Sequence, residues 1–121
     1  MQVDEPVLRI MERTTDAGTV VLTLQGEIDF ATVGTLRSRL TDVCDREGDV
    51  TVDLRRVGFL DCLGLRVLLE QHERSAERGC RIELVQGPPA VRRVFALTGT
   101  LERLHFVDVG ARPLPVAAST G

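Results

Sequence analysis

The sequence has no lysine, tryptophan or tyrosine, and its only aromatic residues are four phenylalanines. Without lysine the chain cannot form a P-loop, which places a lysine on the phosphates of a nucleotide. With so few aromatic side chains it has no platform on which nucleic-acid bases would stack. The formal net charge of -3 also gives no overall attraction to a polyanion. We therefore expect no nucleic-acid partner.

Long apolar runs and a leader sequence are lacking as well. No run approaches the roughly 20 apolar residues of a membrane helix, and the first ten residues, MQVDEPVLRI, are too few and too acidic for a signal peptide. The three cysteines, Cys44, Cys62 and Cys80, form no C-x-x-C pair and have no histidine at zinc-ligand spacing. We therefore expect a cytoplasmic protein with free thiols, no membrane segment, no metal and no cofactor.

Apolar periodicity predicts five strands and three helices in the order β-β-α-β-α-β-α-β. The predicted strands span residues 7–11, 19–24, 50–54, 82–85 and 105–109. The predicted helices lie between Asp29 and Gly48, between Asp61 and Gly79, and between Pro88 and Gly99. We expect residues 55–60 to be a loop. Strands that alternate with helices of this length favour parallel pairing and an α/β fold.

Cys62 is a candidate nucleophile, because it starts a predicted helix, where the helix dipole favours a thiolate. Catalysis also needs a base. His72 lies ten residues later on the same helix, or about 15 Å away, and His105 is remote in sequence. We therefore expect no catalytic residues and no enzyme. Cys44 and Cys80 are interpreted as core or helix-end residues.

Two carboxylates precede predicted helices. Asp29 and Asp61 lie near the carboxyl ends of different strands, where α/β proteins place their ligands. Each can equally be a helix cap that accepts free backbone N–H groups. The residues alone do not decide whether Asp29 and Asp61 contact a ligand or cap a helix.

Three stretches taken together resemble the STAS family, the fold shared by bacterial anti-anti-sigma factors and the cytoplasmic domains of sulfate transporters. They are GEIDFATVGTLRSRL, VTVDLRRVGFLDCLGLRVLL and VRRVFALTGTLERLHFVD. The resemblance runs from about Val7 to Val109. It implies a single STAS domain over residues 1–110, with a mixed sheet of about five strands and helices mainly on one face. Residues 111–121 are predicted to be a flexible tail.

The resemblance also implies a function. Free-standing members of this type bind an anti-sigma factor that is a serine kinase, and so release a sigma factor. Phosphorylation of a serine at the start of the second helix ends the interaction, and that helix start offers N–H groups to the phosphate. The family pattern Asp-Ser-Ser-Gly-Leu aligns with residues 61–65 here. The implied partner-binding residues are Asp29, Asp61, Cys62, Leu63, Gly64 and Leu65.

Cys62 stands at the phosphoacceptor position, and a thiol is not an ordinary substrate of a serine kinase. We therefore expect a regulator that is not switched by serine phosphorylation at this position. Leu63 and Leu65 are expected to offer apolar contacts, and Gly64 to let a partner backbone approach closely. Two alternatives stay open. One is a STAS scaffold or small-ligand-binding subunit of a transporter or signalling assembly, and the other is a thiol redox sensor at Cys62.

Overall fold

The computed structural model describes residues 8–46 and 48–107 of the 121-residue chain. The predicted order of strands and helices is confirmed, and a short 3-10 helix that was not predicted follows the last helix. The elements are β1 (Leu8–Thr14), β2 (Val20–Ile28), α1 (Val33–Asp45), β3 (Val50–Leu60), α2 (Cys62–Arg78), β4 (Ile82–Val85), α3 (Pro89–Thr98), the 3-10 helix (Leu101–Arg103) and β5 (Phe106–Val107). The predicted tail, 111–121, and the last two residues of the fifth predicted strand lie outside the described residues.

The five strands form one mixed sheet in the order β1-β2-β3-β4-β5. β1 and β2 pair antiparallel as a hairpin, whereas the other neighbouring strands pair parallel. The mixed sheet predicted from the sequence is therefore confirmed. Because β2, β3 and β4 run in the same direction, their carboxyl ends lie at one edge of the sheet. Each of these strands is followed by a helix, so the loops that start α1, α2 and α3 share that edge.

The core lies between one face of the sheet and the three helices. Leu22, Val52 and Leu84 are fully buried on adjacent strands at paired positions. Phe95 of α3 is fully buried as well, and its ring packs edge-on against Phe106 at 5.1 Å. Such aromatic pairs are favourable by about 0.5–1.5 kcal/mol beyond their buried area. This core fixes the helices against the sheet, so the loops at the carboxyl edge are held on a rigid base.

The prediction of a loop at 55–60 is wrong, because β3 continues to Leu60. The buried residues in this half of the strand are Leu54, Val57 and Leu60, and they are three positions apart instead of two. The spacing changes because β3 carries two bulges, each with one extra residue opposite β2. The pairs that flank the two bulges are Thr23–Asp53 and Gln25–Arg56, then Gly26–Val57 and Glu27–Phe59.

The predicted limits of α2 are confirmed. Asp61 is its N-cap, and Gly79 ends it with a left-handed φ of 79°. The buried residues of this helix include two polar ones, Gln71 and Ser75. The burial of Ser75 costs little, since its hydroxyl donates to the His72 carbonyl at 2.8 Å.

Two ion pairs lie outside the core, one within β3 and one between the end of α1 and β1. Asp53 is buried on the sheet face away from the helices, and its carboxylate accepts two hydrogen bonds from the Arg55 guanidinium, at 3.0 and 2.9 Å. On the helix side, Arg46 binds Glu12 with two hydrogen bonds of 2.8 and 3.1 Å. The hydrogen bond from Arg46 is the main reason that the pKa of Glu12 lies below its ordinary value of 4.5. This pair ties the end of α1 to the edge strand β1.

Candidate protein-binding surface

The predicted site residues Asp29 and Asp61 are brought together by the ladder between β2 and β3. Ile28 and Leu60 are the last residues of the two strands and lie at paired positions. The Asp61 amide then donates to the Ile28 carbonyl at 3.1 Å. The two carboxylates therefore follow adjacent strand ends, at the carboxyl edge of the sheet.

Asp61 caps α2, which is one of the two roles that the sequence left open. One oxygen of its carboxylate accepts from the amides of Leu63 and Gly64, each at 3.0 Å. These are two of the four N–H groups that the start of a helix leaves without an intrahelical partner. The expectation that the N–H groups of this helix start are free for a phosphate is therefore wrong for these two amides.

Asp29 organises the turn that leads into α1. Its carboxylate accepts from the amides of Ala31 and Thr32, at 3.0 and 3.3 Å. The Thr32 hydroxyl is buried in the same turn and donates to the Glu27 carbonyl at 2.9 Å. Asp29 thus orders the turn before α1 but does not cap that helix, whose N-cap is Thr32, and it remains partly exposed at the surface.

Cys62 is the first residue of α2, and its free thiol is exposed. It lies directly after the capping carboxylate, beside the exposed Leu63. The two residues present sulfur and an apolar side chain to solvent at the carboxyl edge, where a docking protein can reach both.

The structure places the next two predicted contact residues inside the protein. Gly64 is buried, and a Cβ at this position would lie 2.6 Å from Leu60 Cδ1 and closer still to Ile28 Cγ2. The glycine is therefore required by internal packing and not by the approach of a partner backbone. Leu65 is 5% exposed and belongs to the core. Neither residue forms part of the exposed surface.

Two phenylalanines near the carboxylates were not predicted as site residues. Phe30 is 81% exposed and directly follows Asp29, while Phe59 is 49% exposed and lies opposite Glu27 at the end of β3. Leu63 is also exposed. Regular alternation of apolar and polar residues through 55–60 would have predicted a strand that includes Phe59. The two bulges interrupt that alternation, so the sequence contains no such signal. We call Asp29, Phe30, Phe59, Asp61, Cys62 and Leu63 the carboxyl-edge surface.

The best-formed cavities of the described residues lie away from the carboxyl-edge surface. They measure about 290 to 740 Å³, and none of these four is lined by a residue of this surface. Within residues 8–46 and 48–107 no three His, Cys, Asp or Glu side chains are placed to hold a metal ion. In the same ranges, no helix has both the length and the apolar character needed to cross a bilayer. The geometry suits contact with another macromolecule better than capture of a small ligand.

A comparison with protein families identifies the fold: the model of the STAS domain matches residues 10–110. This chain belongs to the STAS domain family. The resemblance noted from three sequence motifs is thereby confirmed, and the mixed sheet with three helices is the STAS domain.

Three known proteins show how this STAS domain relates to others. A curated relative from Bacillus subtilis (strain 168), an anti-sigma-B factor antagonist, is 24% identical over 93 residues, which are 77% of this chain and 83% of the relative. The crystal structure of an anti-sigma factor antagonist from Mycobacterium paratuberculosis is 27% identical with a TM-score of 0.76, covering 98% and 97% of the two chains. The Bacillus cell fate determinant SpoIIAA in its phosphorylated form is 20% identical with a TM-score of 0.64, covering 85% and 95%.

Proposed function

We propose that this STAS domain is an anti-sigma factor antagonist, which binds an anti-sigma factor and so frees a sigma factor for transcription. Its relatives from Bacillus subtilis and Mycobacterium paratuberculosis carry that description, and their lengths match this chain closely. In this proposal the protein acts by binding and not by catalysis.

The observation that carries the proposal is the exposure of large apolar side chains on the carboxyl-edge surface. Phe30 has 81% of its surface in solvent, and Phe59 has 49%. Aromatic side chains are enriched in the centres of protein interfaces, where they contribute much of the binding energy. Asp29 and Asp61 are near them in sequence, and Asp29 holds the turn that carries Phe30. Exposed apolar side chains with acidic neighbours are a natural docking site for another protein.

We further propose that the partner is an anti-sigma factor of the serine-kinase type and that phosphorylation at position 62 does not switch the complex. Cys62 occupies the position where the family carries its phosphoacceptor serine. The adjacent amides of Leu63 and Gly64 are already held by Asp61. A phosphate would therefore have to compete with an internal carboxylate for the same donors.

Replacing Phe30 with alanine tests the binding surface. We expect at least a tenfold loss of affinity for the anti-sigma factor, since truncation of an interface anchor costs about 1.4 kcal/mol or more. Leu97→Ala is a matched control, because Leu97 is 78% exposed but lies in the last turns of α3, at the opposite edge of the sheet. Isothermal titration calorimetry measures both variants. Equal affinity for Phe30→Ala and the wild type would contradict this surface, and a loss confined to Leu97→Ala would move the interface to α3.

Replacing Cys62 with serine tests the missing switch. Incubated with the anti-sigma factor and ATP, the wild type is expected to gain no phosphate at residue 62. The Cys62→Ser variant restores the hydroxyl and is expected to gain one, which peptide mass spectrometry detects. Phosphate on the wild-type residue 62 would overturn the proposal of an unswitched complex while leaving the binding surface intact.

A further inference from the structure

The thiols of Cys44 and Cys80 are in contact inside the protein. Cys44 lies in the last turn of α1, and Cys80 lies between the end of α2 and β4. Their sulfurs are 3.1 Å apart, and the residues are 8% and 5% exposed. The Cys80 amide donates to the Ser75 carbonyl at 2.9 Å, which fixes the chain just after the left-handed turn of Gly79. The two side chains are thus held in place from two different elements.

This geometry needs only a small change to form a covalent bond. A disulfide has a sulfur–sulfur distance of about 2.05 Å, so the two sulfurs must approach by about 1 Å. Rotation of the two cysteine side chains about their Cα–Cβ bonds can bring the sulfurs this much closer. A cavity of about 290 Å³ is lined by both cysteines and opens beside the ion pair of Asp45 and Arg78. A small oxidant therefore has a route to the sulfurs.

We propose that Cys44 and Cys80 are a redox modification site, at which a hydroperoxide forms an intramolecular disulfide. The Cys80 sulfur attacks the terminal oxygen of the hydroperoxide, the O–O bond breaks, and the alcohol, or water in the case of hydrogen peroxide, leaves with the thiol proton. The Cys44 sulfur then attacks the sulfenic sulfur of Cys80, the S–O bond breaks, and the leaving hydroxide takes the Cys44 proton as water. Two thiols lose two electrons in total, and one hydroperoxide gains them.

Burial, and after it the hydrogen bond with Cys80, raises the pKa of Cys44 to about 12. The thiolate is the form of a cysteine that attacks, so this thiol reacts slowly. The burial of both thiols also makes the first step slow, so the site responds to sustained oxidant and not to brief exposure.

The disulfide would stabilise the fold without touching the carboxyl-edge surface. The two cysteines are 36 positions apart, and the loop between them includes β3 and α2. Closing a loop of this length lowers the unfolding equilibrium constant by several hundredfold in the chain-entropy model. The Val50 amide donates to the Arg81 carbonyl at 2.8 Å, so Cys80 lies beside the start of β3. Asp61 follows the other end of this strand, about 30 Å away at the usual rise per residue once the two bulge residues are left out.

The experiment exposes the full chain to hydrogen peroxide and then to an alkylating agent. Intact mass and non-reducing peptide mapping are expected to show the loss of two hydrogen atoms and a peptide that joins Cys44 to Cys80. The melting temperature is expected to rise by about 10 °C and to return to its original value after reduction. The same bridge and the same rise are expected for Cys62→Ser, which removes the exposed thiol.

The Cys44→Ser variant is the negative control, and it should show neither the bridge nor the rise in melting temperature. Oxidation of Cys62 alone, with Cys44 and Cys80 still alkylated, would overturn the inference. So would a bridge that leaves the melting temperature unchanged. If Cys44→Ser does not fold, the comparison of oxidised and reduced Cys62→Ser still decides the question. None of these outcomes depends on binding of the anti-sigma factor, so this inference and the proposed function fail separately.

Discussion

Adding one methyl group at Gly64 should destabilise the protein, although the same change favours most helices. A Cβ at this position would lie 2.6 Å from Leu60 Cδ1 and would contact Ile28 even more closely. Both neighbours are core side chains, with 3% and 0% exposure, and have no free space to move into. Overpacking of a core costs about 1–3 kcal/mol. The gain in helix propensity from glycine to alanine offsets at most about 1 kcal/mol. We expect Gly64→Ala to lose about 1–2 kcal/mol of unfolding free energy.

Gly34→Ala is the matched control. Both glycines lie in the first turn of a helix: Gly34 is the second residue of α1, and Gly64 is the third residue of α2. A Cβ at Gly34 would have no atom within 4 Å. The control should therefore gain between zero and about 1 kcal/mol. Urea denaturation followed by far-UV circular dichroism measures both variants, with the slope of each transition checked for constancy. If Gly64→Ala were as stable as Gly34→Ala, the packing argument at the start of α2 would be refuted.

Three further predictions concern the cap of α2 and the two ion pairs. Asp61→Ala removes the cap and should lower the unfolding free energy, measured by urea denaturation, by about 1 kcal/mol, whereas Asp61→Ser should recover most of that loss. An equal loss in both variants would exclude capping. Arg55→Ala leaves its buried carboxylate partner without the two guanidinium bonds and should cost about 1–3 kcal/mol, while Arg56→Ala, exposed beside it, should change stability by less than about 0.5 kcal/mol. Glu12 has a lowered pKa, first because of its hydrogen bond with Arg46, so its contribution is present above pH 4.5 and is lost as the pH falls further. Glu12→Gln should therefore lose less stability than the wild type between about pH 6 and pH 3, and parallel curves for the two proteins would contradict this.

The order of elements and the helix ends could be predicted from local features. Asp61 and Gly79 are typical start and stop residues of a helix, and both act as such in α2. The parallel part of the sheet followed from the alternation of strands and helices, since parallel pairing needs such crossovers. These features depend on residues close in sequence, so they can be predicted without knowledge of the tertiary structure.

The missed features depend on contacts between distant residues. The second half of β3 was taken for a loop because Leu54, Val57 and Leu60 are spaced by three, and only pairing with β2 shows that bulges cause this. The contact of Cys44 with Cys80 joins residues 36 positions apart. No local pattern encodes either.

The site was predicted only in part. Asp29 and Asp61 lie at adjacent strand ends as the family pattern implies, but their carboxylates are engaged in the two turns. Gly64 and Leu65 match the pattern for internal reasons, because they pack against the core. A sequence motif does not separate residues that form a surface from residues that support it. The exposure of each residue in the structure separates the two groups, and it adds Phe30 to the residues of the surface.

The two bulges of β3 have a consequence for insertions and deletions in this strand. Each bulge adds a residue without changing which side chains face the helices, so removal of that residue would restore regular alternation and leave the core unaltered. A chain shortened at Gly58 would keep Val57 inward and Leu60 inward. Because bulges increase the local twist of a strand, the same deletion would rotate the end of β3 and re-aim Phe59. A length change in this strand would thus alter the direction in which Phe59 points while the interior of the domain stays the same.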